Sequence, residues 1–186
     1  MTARTRTALL TATSAVCLVA LAPPAAAAAP TASDTTTAFT TVGAADGETF
    51  FYVDGFDHGA AGGGVVDVFG ASVECSLPED GTPAPFSTDG TSSAVLQGML
   101  AVDCWDAAAQ RGGSATLTVD LRWTATGPAT RTRLASPRTG CTGWRWTAPA
   151  AVEGTVHLSA PSLGVEASAV PGERPAEIAR TVSRCR

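Results

Sequence analysis

Two tryptophans are the side chains of this sequence whose spacing best suits a ligand surface. Trp144 and Trp146 are separated only by Arg145, and residues two apart in a β-strand point to the same side of the sheet. On an exposed face the two indoles would form a platform on which sugar rings stack. On a buried face they would pack in the core beside Cys141. We favour core packing and keep a carbohydrate-binding platform as the alternative.

No other group of side chains has the spacing of a catalytic or metal site. His58 and His157 are far apart, and the sequence contains no G-x-S-x-G motif. Asp54 and Asp57 lie in a glycine-rich stretch that lacks the further acidic ligands of a calcium-binding loop, so we predict a solvated turn there. We expect no catalytic residue, no metal ion and no cofactor. The sequence thus favours a non-enzymatic binding or interaction module.

A second alternative is a proteinase inhibitor. The proline-rich segment Pro78–Pro85 lies between Cys75 and Cys104. A loop that is held extended by a disulfide loses little conformational freedom on binding, which favours tight association with a proteinase. In this alternative the Pro78–Pro85 loop is the segment presented to the enzyme.

Four of the five cysteines have the pattern of structural disulfides. Cys17 lies in the N-terminal apolar segment, and the other four are an even number without a C-x-x-C motif, which disfavours a zinc site or a redox dithiol. Three pairings are possible. We favour Cys75–Cys104 and Cys141–Cys185, because each closes a local loop between neighbouring predicted strands.

The N-terminal residues have the layout of a secretory signal peptide. Arg4 and Arg6 precede an apolar run, and a small-residue stretch from Pro23 to Ala29 follows it. We predict that residues 1–28 are removed and that the protein is secreted, in agreement with the expected disulfides. The apolar run is shorter than the roughly 20 residues that span a bilayer, so no membrane attachment is expected after cleavage.

Charge restricts the class of partner. The formal net charge is −5, and no lysine is present. Cleavage of the signal peptide would remove Arg4 and Arg6, which makes the protein more acidic and disfavours nucleic acid. From Arg122 onward the cations predominate, which indicates either ion pairing across strands or a charged binding face. We expect a monomer with an extracellular protein or glycan as its partner.

The elements that must position these side chains are β-strands. Residues 115–124 alternate between apolar and polar side chains, which is typical of a strand with one buried face. Other short strand patterns are separated by glycine, proline and aspartate clusters. These patterns predict one domain over residues 47–186, an antiparallel β-sandwich, with a closed β-barrel as second choice. Residues 29–46 are predicted to be flexible, and Trp105 and Trp123 to lie in the core.

The chain resembles a group of small secreted proteins of actinobacteria, most of them without an assigned activity. The likeness covers about residues 48–186. It rests on the strand and turn from Leu121 to Pro128, on Gly140-Cys141-Thr142, and on the late Cys185. The resemblance implies a β-rich exported domain and assigns no functional residue.

Overall fold

The computed structural model describes residues 32–58, 61–135, 140–172 and 175–185. The signal peptide predicted for residues 1–28 lies outside these ranges. The regular structure in them consists of eleven β-strands: β1 (Ala32–Gly43), β2 (Phe50–His58), β3 (Ala61–Phe69), β4 (Val73–Ser76), β5 (Phe86–Asp89), β6 (Ser93–Asp106), β7 (Arg111–Ala125), β8 (Thr130–Leu134), β9 (Cys141–Ala160), β10 (Val165–Ala169) and β11 (Ala176–Cys185). Within the same ranges, no helix is long and apolar enough to cross a membrane.

All eleven strands belong to one antiparallel sheet that folds over on itself. Following the hydrogen-bonded neighbours from β1 through β2, β3, β4, β6, β7, β9 and β11 leads back to β1. The short strands β5, β8 and β10 are attached to β6 and β9. The inward faces enclose the core, as in a β-sandwich. Strand-to-strand hydrogen bonds also join the two layers along both of their edges. The antiparallel all-β fold expected from the sequence is confirmed.

Apolar side chains from strands all around the sheet fill the space between its two layers. The largest fully buried ones are Trp123, Phe51, Leu96, Leu100, Leu117, Leu121, Leu158, Ile178, Val42, Val53, Val66 and Val68. Each contributes about 1.5–3 kcal/mol through burial, or more for the tryptophan. The alternation predicted for residues 115–124 is confirmed, because β7 directs its apolar side chains inward. Trp123 lies in the core as predicted.

Two predictions about the chain are wrong. Trp105 is 48% exposed, because Cys104 before it and Asp106 after it point inward and alternation turns the indole outward. Residues 32–43 are not flexible, since they form β1 between β2 and β11. Ala38 and Val42 of this strand are buried in the core. The domain therefore begins well before residue 47.

Both disulfides join residues that lie directly opposite each other on neighbouring strands. Cys75 of β4 is bonded to Cys104 of β6, and Cys141 of β9 is bonded to Cys185 of β11. The favoured pairing is confirmed. On a chain-entropy argument each bond stabilises the fold by roughly 3.5–4 kcal/mol.

The 20-residue strand β9 belongs to two regions of the sheet. Its second half pairs with β7 and β10 around the core, and its first half pairs with β8 and β11. Gly154 lies in the second half, opposite Leu121 of β7, with φ of +122° and close against the main chain of Asp120, where no Cβ would fit. We call the part formed by β8, the first half of β9 and the second half of β11 the extension.

Candidate ligand-binding surfaces

Three aromatic rings form an exposed apolar patch on the outer side of the sheet. Phe39, Tyr52 and Phe69 are 40%, 45% and 43% exposed. The ring centroids of Phe39 and Tyr52 are 6.4 Å apart, and those of Tyr52 and Phe69 are 5.3 Å apart. We call these three residues, with the partly buried Phe50 and Val65 beside them, the aromatic face. Apolar patches of this kind on a soluble protein commonly mark a binding site.

Strand register brings the aromatic face together from three strands. Tyr52 of β2 lies opposite Asp67 of β3, and Asp54 of β2 lies between Phe39 and Val65. Residues directly opposite in an antiparallel pair point to the same side of the sheet. This surface is not predictable from the sequence alone, because its rings are spread over about thirty residues and come together only through the strand pairing.

The aromatic face is bordered by carboxylates. The shallow cleft over it, about 470 Å³ in volume, is lined by the five apolar residues together with Asp54 and Asp67, and no described cation lines it. Burial raises the pKa of Asp54 above its usual value, although the side chain keeps contact with solvent. A second shallow cleft continues past Phe69 and Asp67 to Glu74 and Trp105. The whole surface is thus apolar and acidic.

The predicted solvated turn at Asp54–Gly59 is wrong over its described part. Residues 54–58 continue β2, with Gly55 pressed against the ring of Phe86 so that no side chain would fit there. Asp54 and Asp57 therefore lie on opposite sides of the sheet. His58 shares a hydrogen bond of 2.7 Å with the hydroxyl of Thr35. In the described ranges, no cluster of three or more histidine, cysteine or acidic residues could hold a metal ion.

Trp144 and Trp146 form a separate surface on the other side of the sheet, in the extension. The core face of β9 and β11 continues outward through them, since Ala148 lies opposite Ile178 and Trp146 opposite Arg180. Neither tryptophan belongs to the core, so the favoured interpretation of core packing is wrong. Both are half-buried and share a cleft of about 340 Å³ with Arg131, Thr142, Val182 and Arg184.

Arg131 covers the two indoles. Its guanidinium carbon lies 3.6 Å from the ring centroid of Trp144 and 5.4 Å from that of Trp146, which is cation–π geometry. We call Arg131, Trp144 and Trp146, with Arg184 beside them, the Trp–Arg platform. Next to it, Asp34 accepts hydrogen bonds of 2.9 and 2.5 Å from Arg180, which lower the pKa of that carboxyl. Arg180 is therefore neutralised locally, and Arg131 and Arg184 make no salt bridge within the described residues.

His157 is part of a polar network across β9 and β10. Its Nδ1 lies 2.7 Å from the hydroxyl of Ser168, and its Nε2 lies 3.3 Å from Glu166. Ser159 donates a hydrogen bond of 2.6 Å to the same carboxylate. The order serine–histidine–carboxylate is that of a hydrolase triad, but catalytic triads act in enclosed sites beside oxyanion donors. Here the histidine and carboxylate side chains are about half exposed, at 48% and 58%. His157 and Ser168 line a shallow cleft of about 420 Å³ together with Val156, Ala169 and Val170. The network therefore lies on the solvated surface of the sheet, beside an open cleft.

The Pro78–Pro85 loop is hydrogen-bonded to the sheet at its C-terminal end. Ala84 is buried, and its main chain exchanges hydrogen bonds of 2.8 and 2.9 Å with Gly64 of β3. The carbonyl of Pro85 accepts a further bond from the amide of Gln97. Glu79, Asp80 and Thr82 are the exposed residues in the middle of the loop. The loop closes over the end of the core and exposes only a short acidic tip.

Comparison of the sequence with protein families and with curated proteins finds no match. Among solved structures, the chain is similar to a crystal structure of CghA with Sch210972, with 18% sequence identity and a TM-score of 0.37. The alignment covers 82% of this chain and 46% of that one. The chain therefore spans less than half the length of that protein.

Proposed function

We propose that this protein is a secreted, non-enzymatic binding module that uses the aromatic face to hold a cationic polypeptide segment of an extracellular partner. The observation that carries the proposal is the mutual contact of Phe39, Tyr52 and Phe69 beside carboxylates. Each ring exposes two fifths or more of its surface to water, where a polar side chain would be solvated more favourably. The two cross-strand disulfides support an oxidising, extracellular location, as does the resemblance to exported actinobacterial proteins.

The charge of the cleft selects the chemistry of the ligand. Asp67 lies directly opposite Tyr52, so a guanidinium or ammonium group over the ring is within reach of the carboxylate. Asp54 stands in the same position relative to Phe39. The raised pKa of Asp54 means that an approaching cation would relieve an unfavourable burial of charge.

The ring geometry favours a peptide over a sugar on this face. Tyr52 and Phe69 meet edge to face at 86°, so the two rings do not form the flat surface on which a pyranose stacks. A basic segment with arginine or lysine at alternate positions would direct these side chains to one side. Their cationic ends would reach the carboxylates, and their methylene stems would pack on the rings. The acidic tip of the Pro78–Pro85 loop has no part in this proposal.

A matched pair of peptides tests the proposal. An eight-residue peptide that alternates arginine and valine, carrying a fluorescent label, would be titrated with the mature protein and compared with its glutamate–valine counterpart. We expect only the arginine peptide to bind, and to weaken as salt is raised. Tyr52→Ala should weaken binding about tenfold and Asp67→Asn about fivefold. Met99→Ala is the matched control, because Met99 is 74% exposed and lines neither cleft.

Three results would contradict the proposal. They are equal binding of both peptides, an equal loss in the Met99 control, or binding that persists in the Tyr52 variant. Light scattering on the free protein tests whether a second copy of the chain occupies the aromatic face instead. A dimer that Tyr52→Ala converts to a monomer would show that a second copy of the chain, and not a foreign segment, covers the aromatic face.

A further inference from the structure

We propose that the Trp–Arg platform is a second binding site, specific for a polysaccharide that carries carboxylate groups. This inference is independent of the aromatic face, which lies on the opposite side of the sheet and has the opposite charge. It rests on the geometry of Arg131 over the two indoles, on the lining of the cleft, and on the position of the platform beyond the core.

Among the described residues, the two cations of the platform have no acidic partner. Arg145 is bonded to Glu177 and Arg180 to Asp34, so these two arginines already have acidic partners. Arg131 and Arg184 are exposed and have no such partner among the described residues. The lining of their cleft contains no carboxylate. On a chain with a formal net charge of −5, a cleft that is lined by two arginines and by no carboxylate favours an anionic ligand.

The contact of Arg131 with the ring of Trp144 restrains the position of the guanidinium. An arginine held in this way loses less freedom when it binds and presents its N–H groups as a fork that fits the two oxygens of a carboxylate. Arg133 lies opposite Trp144 in the pairing of β8 with β9 and so points to the same side. The platform therefore offers several cations along one line of the extension, which suits a polymer with repeated charges.

The indoles and hydroxyls add the features that a sugar requires. Trp144 and Trp146 lie side by side at half burial, so apolar ring surface remains beside each cation. The hydroxyl of Thr142 lines the same cleft. Apolar C–H faces of a pyranose pack on indole rings, whereas a free anion gains nothing from them. Acidic sugars thus satisfy both the charge and the aromatic surface.

The position of the cleft permits a long ligand. The extension continues the core face of β9 and β11 beyond the last core residues. In this region the face is therefore open to a ligand. A chain of sugars could cross β8, β9 and β11 without entering the core. The disulfide between Cys141 and Cys185 holds the end of this region together next to Thr142 and Arg184.

Polygalacturonate and dextran are the probes, because the first carries a carboxylate on every sugar and the second carries none. Binding would be measured by calorimetry with the mature, disulfide-bonded protein at low salt. We expect polygalacturonate to bind and dextran not to bind. Arg131→Gln should weaken binding about tenfold, and Trp144→Ala by a similar factor. Arg122→Gln is the matched control and should change binding less than about twofold, since Arg122 is exposed on β7 opposite Glu153.

Further arms identify other sources of the anion. Inorganic phosphate and galacturonic acid would each be tested as competitors of polygalacturonate. If both compete at the same concentration, the platform is a simple anion site and the proposal is overturned. Stronger, Arg131-dependent binding to vesicles of anionic phospholipid would assign the platform to a membrane surface and overturn it too. An equal loss in Arg122→Gln would show non-specific attraction. Tyr52→Ala should leave polygalacturonate binding intact, so the two sites can fail separately.

Discussion

The indole Nε1 of Trp123 donates a hydrogen bond of 3.2 Å to the main-chain carbonyl of Phe39, on a strand that is not paired with β7. The bond crosses the core and ends directly beneath an exposed ring of the aromatic face. The largest of the fully buried side chains among the described residues therefore supports the surface that we assign to ligand binding. Core packing and surface geometry are coupled through these two residues.

Substitution of Trp123 by Phe tests this coupling. The variant loses the hydrogen bond and leaves a cavity, so the free energy of unfolding should fall by about 2–3 kcal/mol. Denaturant unfolding followed by circular dichroism measures the change. Trp105→Phe is the control, because this half-exposed side chain should contribute less than about 0.5 kcal/mol. Equal effects of the two substitutions would contradict the assignment of Trp123 to the core.

Asp54→Asn should stabilise the fold at neutral pH while weakening the binding of cations. Burial raises the pKa of Asp54 above 3.8 in the folded state, so the folded protein disfavours the ionised form. Below the unfolded pKa the carboxyl is protonated in both states, and no penalty exists. The penalty develops as the pH rises above the unfolded pKa, and it reaches its full value once the pH exceeds the folded pKa. Since the side chain keeps solvent contact, the gain should be at most about 0.5 kcal/mol.

Paired unfolding curves of Asp54→Asn and the wild type check this prediction. The difference in unfolding free energy should be near zero at about pH 3 and reach its full value by about pH 7. The arginine–valine peptide should bind the variant more weakly at neutral pH only. A variant that is less stable at pH 7 would show that the ionised carboxylate makes a favourable contact in the fold.

The two disulfides should separate stability from binding. Their loops differ little in length, with sequence separations of 29 and 44, so removal of either bond should cost about 3–5 kcal/mol. Serine replacement of both Cys141 and Cys185 should also weaken polygalacturonate binding, because this bond lies at the end of the Trp–Arg platform. Replacement of both Cys75 and Cys104 should leave that binding intact. Calorimetry on the folded fraction of each variant provides the measurement.

The network of Ser168, His157 and Glu166 should show no nucleophilic activity. Its members are exposed, so water competes for each hydrogen bond and His157 does little to activate the serine hydroxyl as a nucleophile. A fluorophosphonate probe should label Ser168 no faster than it labels Ser114, an exposed serine of β7. Fast labelling that His157→Gln abolishes would instead identify a hydrolase and remove the non-enzymatic assignment.

The sequence predicted most reliably where one strand alone carried the information. Alternation over residues 115–124 gave the buried face of β7, and local pairing of the cysteines gave both disulfides. The error at Trp105 was avoidable, since Cys104 is buried and its neighbour must then face outward. The strand β1 was missed because threonine-rich sequence resembles a polar tail, although Ala38, Thr40 and Val42 alternate inward.

Both candidate surfaces needed the register of several strands. The rings of Phe39, Tyr52 and Phe69 come from three strands, and only the pairing places Asp67 beside Tyr52. For Trp144 and Trp146 the shared face was predictable from their spacing. The position of this face beyond the core depends on where β9 changes its partner strands. The same change allows β8 to pair there and to place Arg131 over the indoles. A local sequence pattern does not show with which distant strands a given strand will pair.

The circular pairing of the sheet also bears on aggregation. Exposed strand edges are templates on which another chain can add hydrogen bonds. Of the described strands, those paired along one side only are β5, β8 and β10, with four or five residues each. The edge of β8 carries Arg131 and Arg133, whose like charges repel a second copy. The circular pairing and the short edge strands thus limit the places where a second copy could add to the sheet, although β3 meets β4 only through Val68 and Phe69.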